Sequence, residues 1–407
     1  MIDYRLHAAL GLALILFSGC YRSHELDGGV RRDTGTPMTD AGPFDTRPPV
    51  RDSGRRDTGL VDTGVIPSTA PPVDVLFLVD NSNSMIEEQV SLKERFPELI
   101  ESLTTGLVRG ARADATRTFP PVHDLHFGVV DSDMGTGGFV VPTCSNSLFG
   151  DDGILRTSGD AAASGCSSVY PSFLEFRLGD SASMFAADAS CLASLGTGGC
   201  GFEQPLDSVL KALTPSSSST TFVRGTRGHG DVENAGFVRP DSVLAIVLLT
   251  DEDDCSALEP ELFNTSSTTY LSDLNLRCSQ FPEALHPIDR YVGGLVSLRP
   301  DPSRLVFAAI AGVPVDLTLD TTRTSFGAIL GDARMQEMPD PASPSRLLPS
   351  CNVPGRGVAF PPRRIVTLAR DLERAGAHTT VGSICQSDYS APIRAIVNQI
   401  ADAIEGG

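Results

Sequence analysis

The chain contains no tryptophan, and aromatic residues fill only 6% of its 407 positions. Stacking platforms for bases or sugar rings are therefore scarce. Positive charge is also short: 32 Lys and Arg against 51 Asp and Glu leave a formal net charge of -19. Such a chain repels polyanions, which excludes nucleic acid as a partner and argues against anionic lipid surfaces. None of the nine cysteines forms a Cys-x-x-Cys pair, which excludes a zinc ribbon or a thioredoxin-like redox centre. The seven histidines are scattered, and the pair His123 and His126 lacks the glutamate of a helical zinc-protease motif. A Gly-x-x-x-x-Gly-Lys-Ser/Thr phosphate loop and a Gly-x-Ser-x-Gly nucleophile elbow are both missing.

What is present begins with an address. Arg5 and His7 precede a short apolar run from Ala8 to Phe17, then Ser18, Gly19 and Cys20. The run is too short to span a bilayer as a mature helix and reads as an export signal over residues 1–20. Its end, Leu16-Phe17-Ser18-Gly19-Cys20, resembles a bacterial lipobox, with Phe17 standing where leucine is usual. The resemblance implies that Cys20 becomes the lipidated first residue and anchors the chain to a bilayer. Tyr21 in place of aspartate points to the outer membrane of the cell envelope. Setting Cys20 aside leaves Cys144, Cys166, Cys191, Cys200, Cys255, Cys278, Cys351 and Cys385. Eight thiols in an oxidising compartment suit four disulfides, with pairing in sequence order as the default.

Residues 21–72 read as a tether. Pro, Gly, Asp, Arg, Thr and Ser dominate there, and Arg-Arg-Asp-Thr-Gly occurs at both 31–35 and 55–59. A segment of that composition cannot bury enough apolar surface to offset its ordering entropy. Its positive and negative charges nearly cancel, so the acidity belongs to residues 73–407.

The folded part starts after Pro71-Pro72. Val73 to Val79, Val243 to Leu249 and Leu305 to Ala311 are apolar runs of the kind that form strands buried on both faces. His126 to Val130 and Thr379 to Ile384 are further strand candidates. Helical spacing appears over 85–107, interrupted by Pro97, and over 201–213, 285–298, 363–375 and 389–404. The alternation predicts an α/β fold, a doubly wound and mostly parallel sheet with helices on both faces. Residues 132–180 and 312–362, rich in Gly, Ser, Pro and Asp, read as disulfide-braced insertions.

In such sheets the ligand site lies beyond the carboxyl ends of the strands. Asp80-Asn81-Ser82-Asn83-Ser84 follows the first buried strand, and Thr250-Asp251-Glu252-Asp253-Asp254 follows the second long one. If those strands are neighbours, Asp80 and Asp251 converge and repel unless a cation lies between them. Carboxylates with serine hydroxyls form an all-oxygen set, which suits Mg2+ first and also Mn2+ or Ca2+.

Asp-x-Ser-x-Ser after one buried strand and Thr-Asp after a later one resembles the metal-ion-dependent adhesion site of von Willebrand factor A domains. The fuller wording, with Gly-Cys-Gly-Phe-Glu-Gln-Pro-Leu at 199–206 and Thr-Asp-Glu-Asp-Asp-Cys-Ser at 250–256, is similar to secreted or lipid-anchored A domains of bacteria such as myxobacteria. The resemblance spans about residues 73–407. It implies metal ligation by Asp80, Ser82, Ser84 and Asp251, and by a threonine from a glycine-rich loop. Thr197, in Gly196-Thr197-Gly198-Gly199, matches best, with Thr226 as the alternative. Glu252, Asp253 and Asp254 are expected around that set. The implied function is non-catalytic binding of a protein ligand whose carboxylate completes the coordination of the ion. A metal-dependent hydrolase on the same sheet and a metal-free envelope scaffold are the alternatives.

Overall fold

Val73–Val79 is β1, and all seven of its residues are buried. That burial explains the unbroken apolar wording: a strand covered on both faces has no solvent side to make polar. The computed structural model describes residues 70–110, 116–159, 164–354 and 357–406, within the compact unit Gly64–Gly407. The expected export signal over 1–20, Cys20 and residues 21–69 of the expected tether lie outside the described residues.

Five further strands complete the central sheet: β2 Asp124–Val130, β3 Leu174–Arg177, β4 Val243–Leu249, β5 Leu305–Ala311 and β6 His378–Ser383. Their spatial order is β6-β5-β4-β1-β2-β3. All neighbours pair in parallel except β2 and β3, which are antiparallel. The protein is thus a mixed α/β fold with a mostly parallel six-stranded sheet flanked by helices, compatible with a Rossmann-like fold. The chain winds outward from β1 in one direction and returns to its other side at β4, so the strand order reverses between those two.

Among the described residues, seven helices of eight or more residues cover the sheet: α1 Ile86–Lys93, α2 Phe96–Thr105, α3 Ala182–Leu192, α4 Pro205–Leu213, α5 Ile288–Val296, α6 Arg363–Arg374 and α7 Ser390–Gly406. Val75, Phe77 and Val79 point into a core shared with α1, α2, α3 and α7. Leu76 and Leu78 point into a second core shared with α4, α5 and α6. The period-two alternation of a strand sorts the two cores. Pro97 divides the predicted 85–107 helix; it lies in the first turn of α2, where a missing N–H costs nothing.

Two expectations need correction. Residues 174–177 and 182–192, the first inside the expected 132–180 insertion, supply the edge strand β3 and helix α3. The strand is four residues long and buried on alternate residues only, so it lacks the long apolar run that marks its neighbours. The disulfides depart from sequence order in part as well: Cys255 joins Cys278 and Cys351 joins Cys385 as expected, but Cys144 joins Cys200 and Cys166 joins Cys191. Cys191 packs into the sheet core from α3, whereas Cys200 belongs to a separate apolar cluster with Cys144, Phe202, Cys255 and Phe263. Short distance along the chain places them in different environments.

Asp74 is the one charge inside β1 and is fully buried. Arg239 answers it with its backbone N–H (2.7 Å) and its Nε (2.8 Å), and Ser242 donates a further hydrogen bond. This network ties the segment before β4 to the amino end of β1. Replacing Asp74 by alanine leaves the buried Arg299 guanidinium without its carboxylate partner at 3.8 Å and leaves Arg239 to Asp124, so denaturant unfolding should show a loss of about 3–5 kcal/mol. A change below about 1 kcal/mol would contradict that account.

Candidate metal centre

Val79 pairs with Leu249, and the Asp80 N–H donates to the Leu249 carbonyl at 3.0 Å. The register therefore sets Asp80 beside Thr250 and Asp251, just past the carboxyl ends of β1 and β4. This is the reversal point of the sheet, where the strand order leaves a crevice. The expected convergence of Asp80 and Asp251 follows from parallel, in-register pairing.

Asp80 is fully buried. Its Oδ1 accepts hydrogen bonds from the Ser82 N–H (2.8 Å) and the Ser132 hydroxyl (3.3 Å), and its Oδ2 accepts one from the Thr250 hydroxyl (2.7 Å). Burial raises its pKa, and these donors oppose the rise. Ser82 is also buried, and its hydroxyl lies 3.1 Å from that of Ser84, which is exposed. The site thus runs from a buried carboxylate to a hydroxyl in contact with solvent.

Asp251 is 1% exposed, and neither of its carboxylate oxygens has a hydrogen-bond partner. Burial pushes its pKa well above the ordinary range, and Asp80 adds the largest contribution of any charge. The Ser84 hydroxyl opposes the rise without forming a hydrogen bond of ordinary geometry. Leaving both oxygens of a buried carboxylate unpaired is costly, on the order of 1–3 kcal/mol or more. Carboxylates and hydroxyls meeting at one point are the donor chemistry of a hard divalent cation. On that observation the residues fit the ion implied by the sequence, and Asp80, Ser82, Ser84 and Asp251 are the residues that would hold it. Among the described residues, no three His, Cys, Asp or Glu side chains group as a metal cluster.

Thr197 arrives by a different route. Gln89, on α1, donates from Nε2 to the carbonyls of Asp80 and Gly196, each at 2.8 Å. Its Oε1 accepts the N–H groups of Leu195 and Gly196, each at 3.1 Å. Gly199 N–H donates to the Asn81 carbonyl at 2.8 Å, and a Cβ at Gly199 would strike the Asn81 side chain. Gly196 adopts a left-handed φ of 74°. One buried glutamine and two glycines thus clamp the Thr197 loop onto the Asp80 loop. Thr226, the alternative, instead accepts a hydrogen bond from Lys211 (2.8 Å), in a cluster with Asp152 and His229.

The acidic run divides its labour. Asp253 accepts the Arg364 N–H at 2.9 Å and that of Ile365 at 3.3 Å, capping α6. Asp254 accepts the Leu206 N–H at 3.0 Å in the first turn of α4 and pairs with Arg364 at 3.0 Å. Both therefore anchor helix starts, where partial positive charge gathers, instead of facing Asp80. Glu252 does face the site: burial raises its pKa to about 7, with Asp80 contributing and a hydrogen bond with Glu203 opposing. Glu203 itself is 3% exposed and is pushed well up by burial and by Glu252.

Ser132, Thr250, Gln89 and Glu203 are the residues that motif reasoning missed. Ser132 had a readable signal, because Asp131-Ser132-Asp133 is a third polar loop leaving a buried strand, β2. His126 is buried, with Nδ1 2.9 Å from the Phe237 carbonyl, as befits a structural histidine.

No family profile matches the sequence, and no curated protein is significantly similar to it. Among solved structures, proximal thread matrix protein 1 from the mussel byssus is similar to 60% of this chain across 38% of its own length. Sequence identity is 13% and the TM-score 0.27, a likeness too slight to carry an argument.

Carboxyls with raised pKa favour the fold only while protonated. That contribution is whole below their ordinary pKa and is lost as pH climbs through the folded value, about 7 for both Glu252 and Glu88. In chelator, thermal stability should therefore fall as pH rises from about 5 to about 8. Asp251→Asn should raise stability at pH 8 by about 1–3 kcal/mol and flatten that decline. A destabilised variant with an unchanged pH slope would refute the repulsion described.

Proposed function

We propose that this chain is a non-catalytic binding module of the von Willebrand factor A type. Its ligand would be a protein carboxylate held through a divalent cation, Mg2+ foremost. The observation that carries the reading is Asp251: a buried carboxylate with two unpartnered oxygens beside a second buried carboxylate and a line of hydroxyls. Its place at the reversal point of the sheet supports the reading, as does the Asp-x-Ser-x-Ser wording.

Asp80, Ser82, Ser84 and Asp251 would hold the ion, with Thr197 from the clamped loop. A divalent cation there would neutralise the facing carboxylates and offer an open position to a ligand's oxygen. The protein's residues do the rest. Thr250 and Ser132 orient Asp80 by hydrogen bonding. Gln89 fixes the spacing of two loops. Ser84 keeps the rim open to solvent. The polar atoms contacting Asp80 are hydroxyls and amides, with no histidine or lysine among them, which favours binding over hydrolysis.

The same proposal places the module in the cell envelope, tethered by residues 21–72 to a lipid on Cys20. No helix among the described residues is long and apolar enough to cross a membrane, so attachment would rest on that anchor. About fifty flexible residues would give a root-mean-square reach of roughly 40 Å.

Calorimetric titration should detect one Mg2+ per chain, with Asp80→Ala and Asp251→Ala each weakening it at least about ten-fold. Recovery of a partner from envelope extract should collapse in chelator and in Asp80→Ala alike. Equal recovery under all conditions would defeat the metal-bridged reading. Metabolic labelling with a radioactive fatty acid should mark the wild type and not Cys20→Ser; label on both would remove the proposed anchor.

A further inference from the structure

The segment between α4 and β4 folds back on the protein through a tight turn, and a row of alternating charges runs across it. Lys211, on α4, is fully buried; its ammonium pairs with one oxygen of Asp152 and donates to the Thr226 hydroxyl at 2.8 Å. The other Asp152 oxygen lies 2.9 Å from Nε2 of His229, whose Nδ1 lies 2.5 Å from Glu233. His229 is 9% exposed, whereas Glu233 is half-exposed. Backbone bonds seat the turn: the His229 N–H donates to the Lys211 carbonyl and the Gly230 N–H to the Thr214 carbonyl, each at 2.9 Å. A Cβ at Gly228 or Gly230 would strike the carbonyl of Thr214 or of Leu213. Asn234 links the same turn to the Gly153 carbonyl at 3.0 Å and to the Leu155 N–H at 2.9 Å. Asp152 holds a left-handed φ of 61°, which residues other than glycine rarely adopt, so its loop depends on ties to its surroundings.

We propose that His229 is a proton-operated latch, fastening the turn at 229–234 to the loop at 150–155 when its ring is charged and releasing it when the ring is neutral. A charged ring donates from both nitrogens at once, to Asp152 and to Glu233. A neutral ring has a single N–H, serves one carboxylate and turns a lone pair toward the other. Asp152 keeps Lys211 as its counter-charge, and Glu233 can turn to water, so Glu233 is the side that lets go. The groups facing the ring are Asp152 from the loop after β2, Lys211 from α4 and Glu233 from the turn itself. Their acidic neighbours are engaged elsewhere: Asp151 pairs with Arg156 at 2.9 Å, and Asp231 accepts the Ser216 N–H at 2.5 Å. Burial is the largest influence on the ring and lowers its pKa, as Lys211 does, but the hydrogen bonds and charge of the two carboxylates outweigh them and leave it above the ordinary 6.5. A raised folded pKa means that the stabilisation is whole below 6.5 and is lost as pH climbs through the folded value. The turn is therefore shut in mildly acidic surroundings and loosened in alkaline ones.

The test takes the full mature chain from about pH 5.5 to about pH 8.5. The His229 ring, assigned by NMR in the labelled chain, should titrate above 6.5. Hydrogen exchange, corrected for the intrinsic pH dependence of the chemistry, should show protection at 229–234 falling about three- to ten-fold across that titration, one pKa unit being worth a factor of ten. Strand β4, Val243–Leu249, reports global opening and serves as the reference. His229→Gln should abolish the pH dependence in the turn, and Glu233→Gln should bring the midpoint of the ring down toward 6.5. Glu233 is half-exposed, so its variant decides the matter if His229→Gln fails to fold. A wild-type midpoint at or below 6.5, a turn that loses protection only in step with β4, a pH slope that survives in folded His229→Gln, or an unmoved midpoint in Glu233→Gln overturns the proposal.

Discussion

Everything at the rim depends on the parallel, in-register pairing of β1 with β4. Val79 faces Leu249, so the next residues of both strands, Asp80 and Thr250-Asp251, emerge side by side. The apolar length of each strand measures out that meeting. Seven buried residues precede Asp80 and seven precede Thr250. A one-residue slip would exchange the two core faces of the strand, so hydrophobic burial locks the register and hence the carboxylate pair. Core packing thereby supplies the force that holds two like charges together.

That force is supplemented by polar clamps that each serve two elements. Gln89 joins the Asp80 loop to the glycine loop of Thr197. Asp253 and Asp254 tie the strand end to the starts of α6 and α4. The Phe360 N–H donates to the Asp251 carbonyl at 2.8 Å, fastening the 312–362 insertion to the same loop. Disulfides Cys255–Cys278 and Cys351–Cys385 brace the flanks of this assembly. A site so fixed in advance loses little entropy when a ligand arrives.

The parts legible in the sequence were those with a strong local signature. Three long buried strands announced themselves through β-branched apolar runs, and 243–249 and 305–311 match their observed bounds. Asp80 and Asp251 were readable because each terminates such a run. The short edge strand 174–177 was not, since half of it faces solvent and its identity comes from pairing with β2. The roles of Glu203 and Gln89 were hidden for a related reason. Each acts on residues far away in sequence: Gln89 on Gly196, and Glu203 on Glu252. Disulfide pairing failed for its first two bonds because α3 carries Cys191 away from Cys200 into a different core.

The charge balance gives the site its selectivity problem. A chain with a formal net charge of -19 repels a purely acidic ligand at distances up to about a Debye length, roughly 8 Å at physiological salt. On the proposed reading, a divalent cation held by Asp80 and Asp251 would supply the one place on this surface where a carboxylate is attracted instead of repelled. Recognition would then rest on a short-range coordination bond acting inside the distance at which the chain's acidity is screened, so that bulk negative charge would discourage acidic ligands everywhere except at the rim.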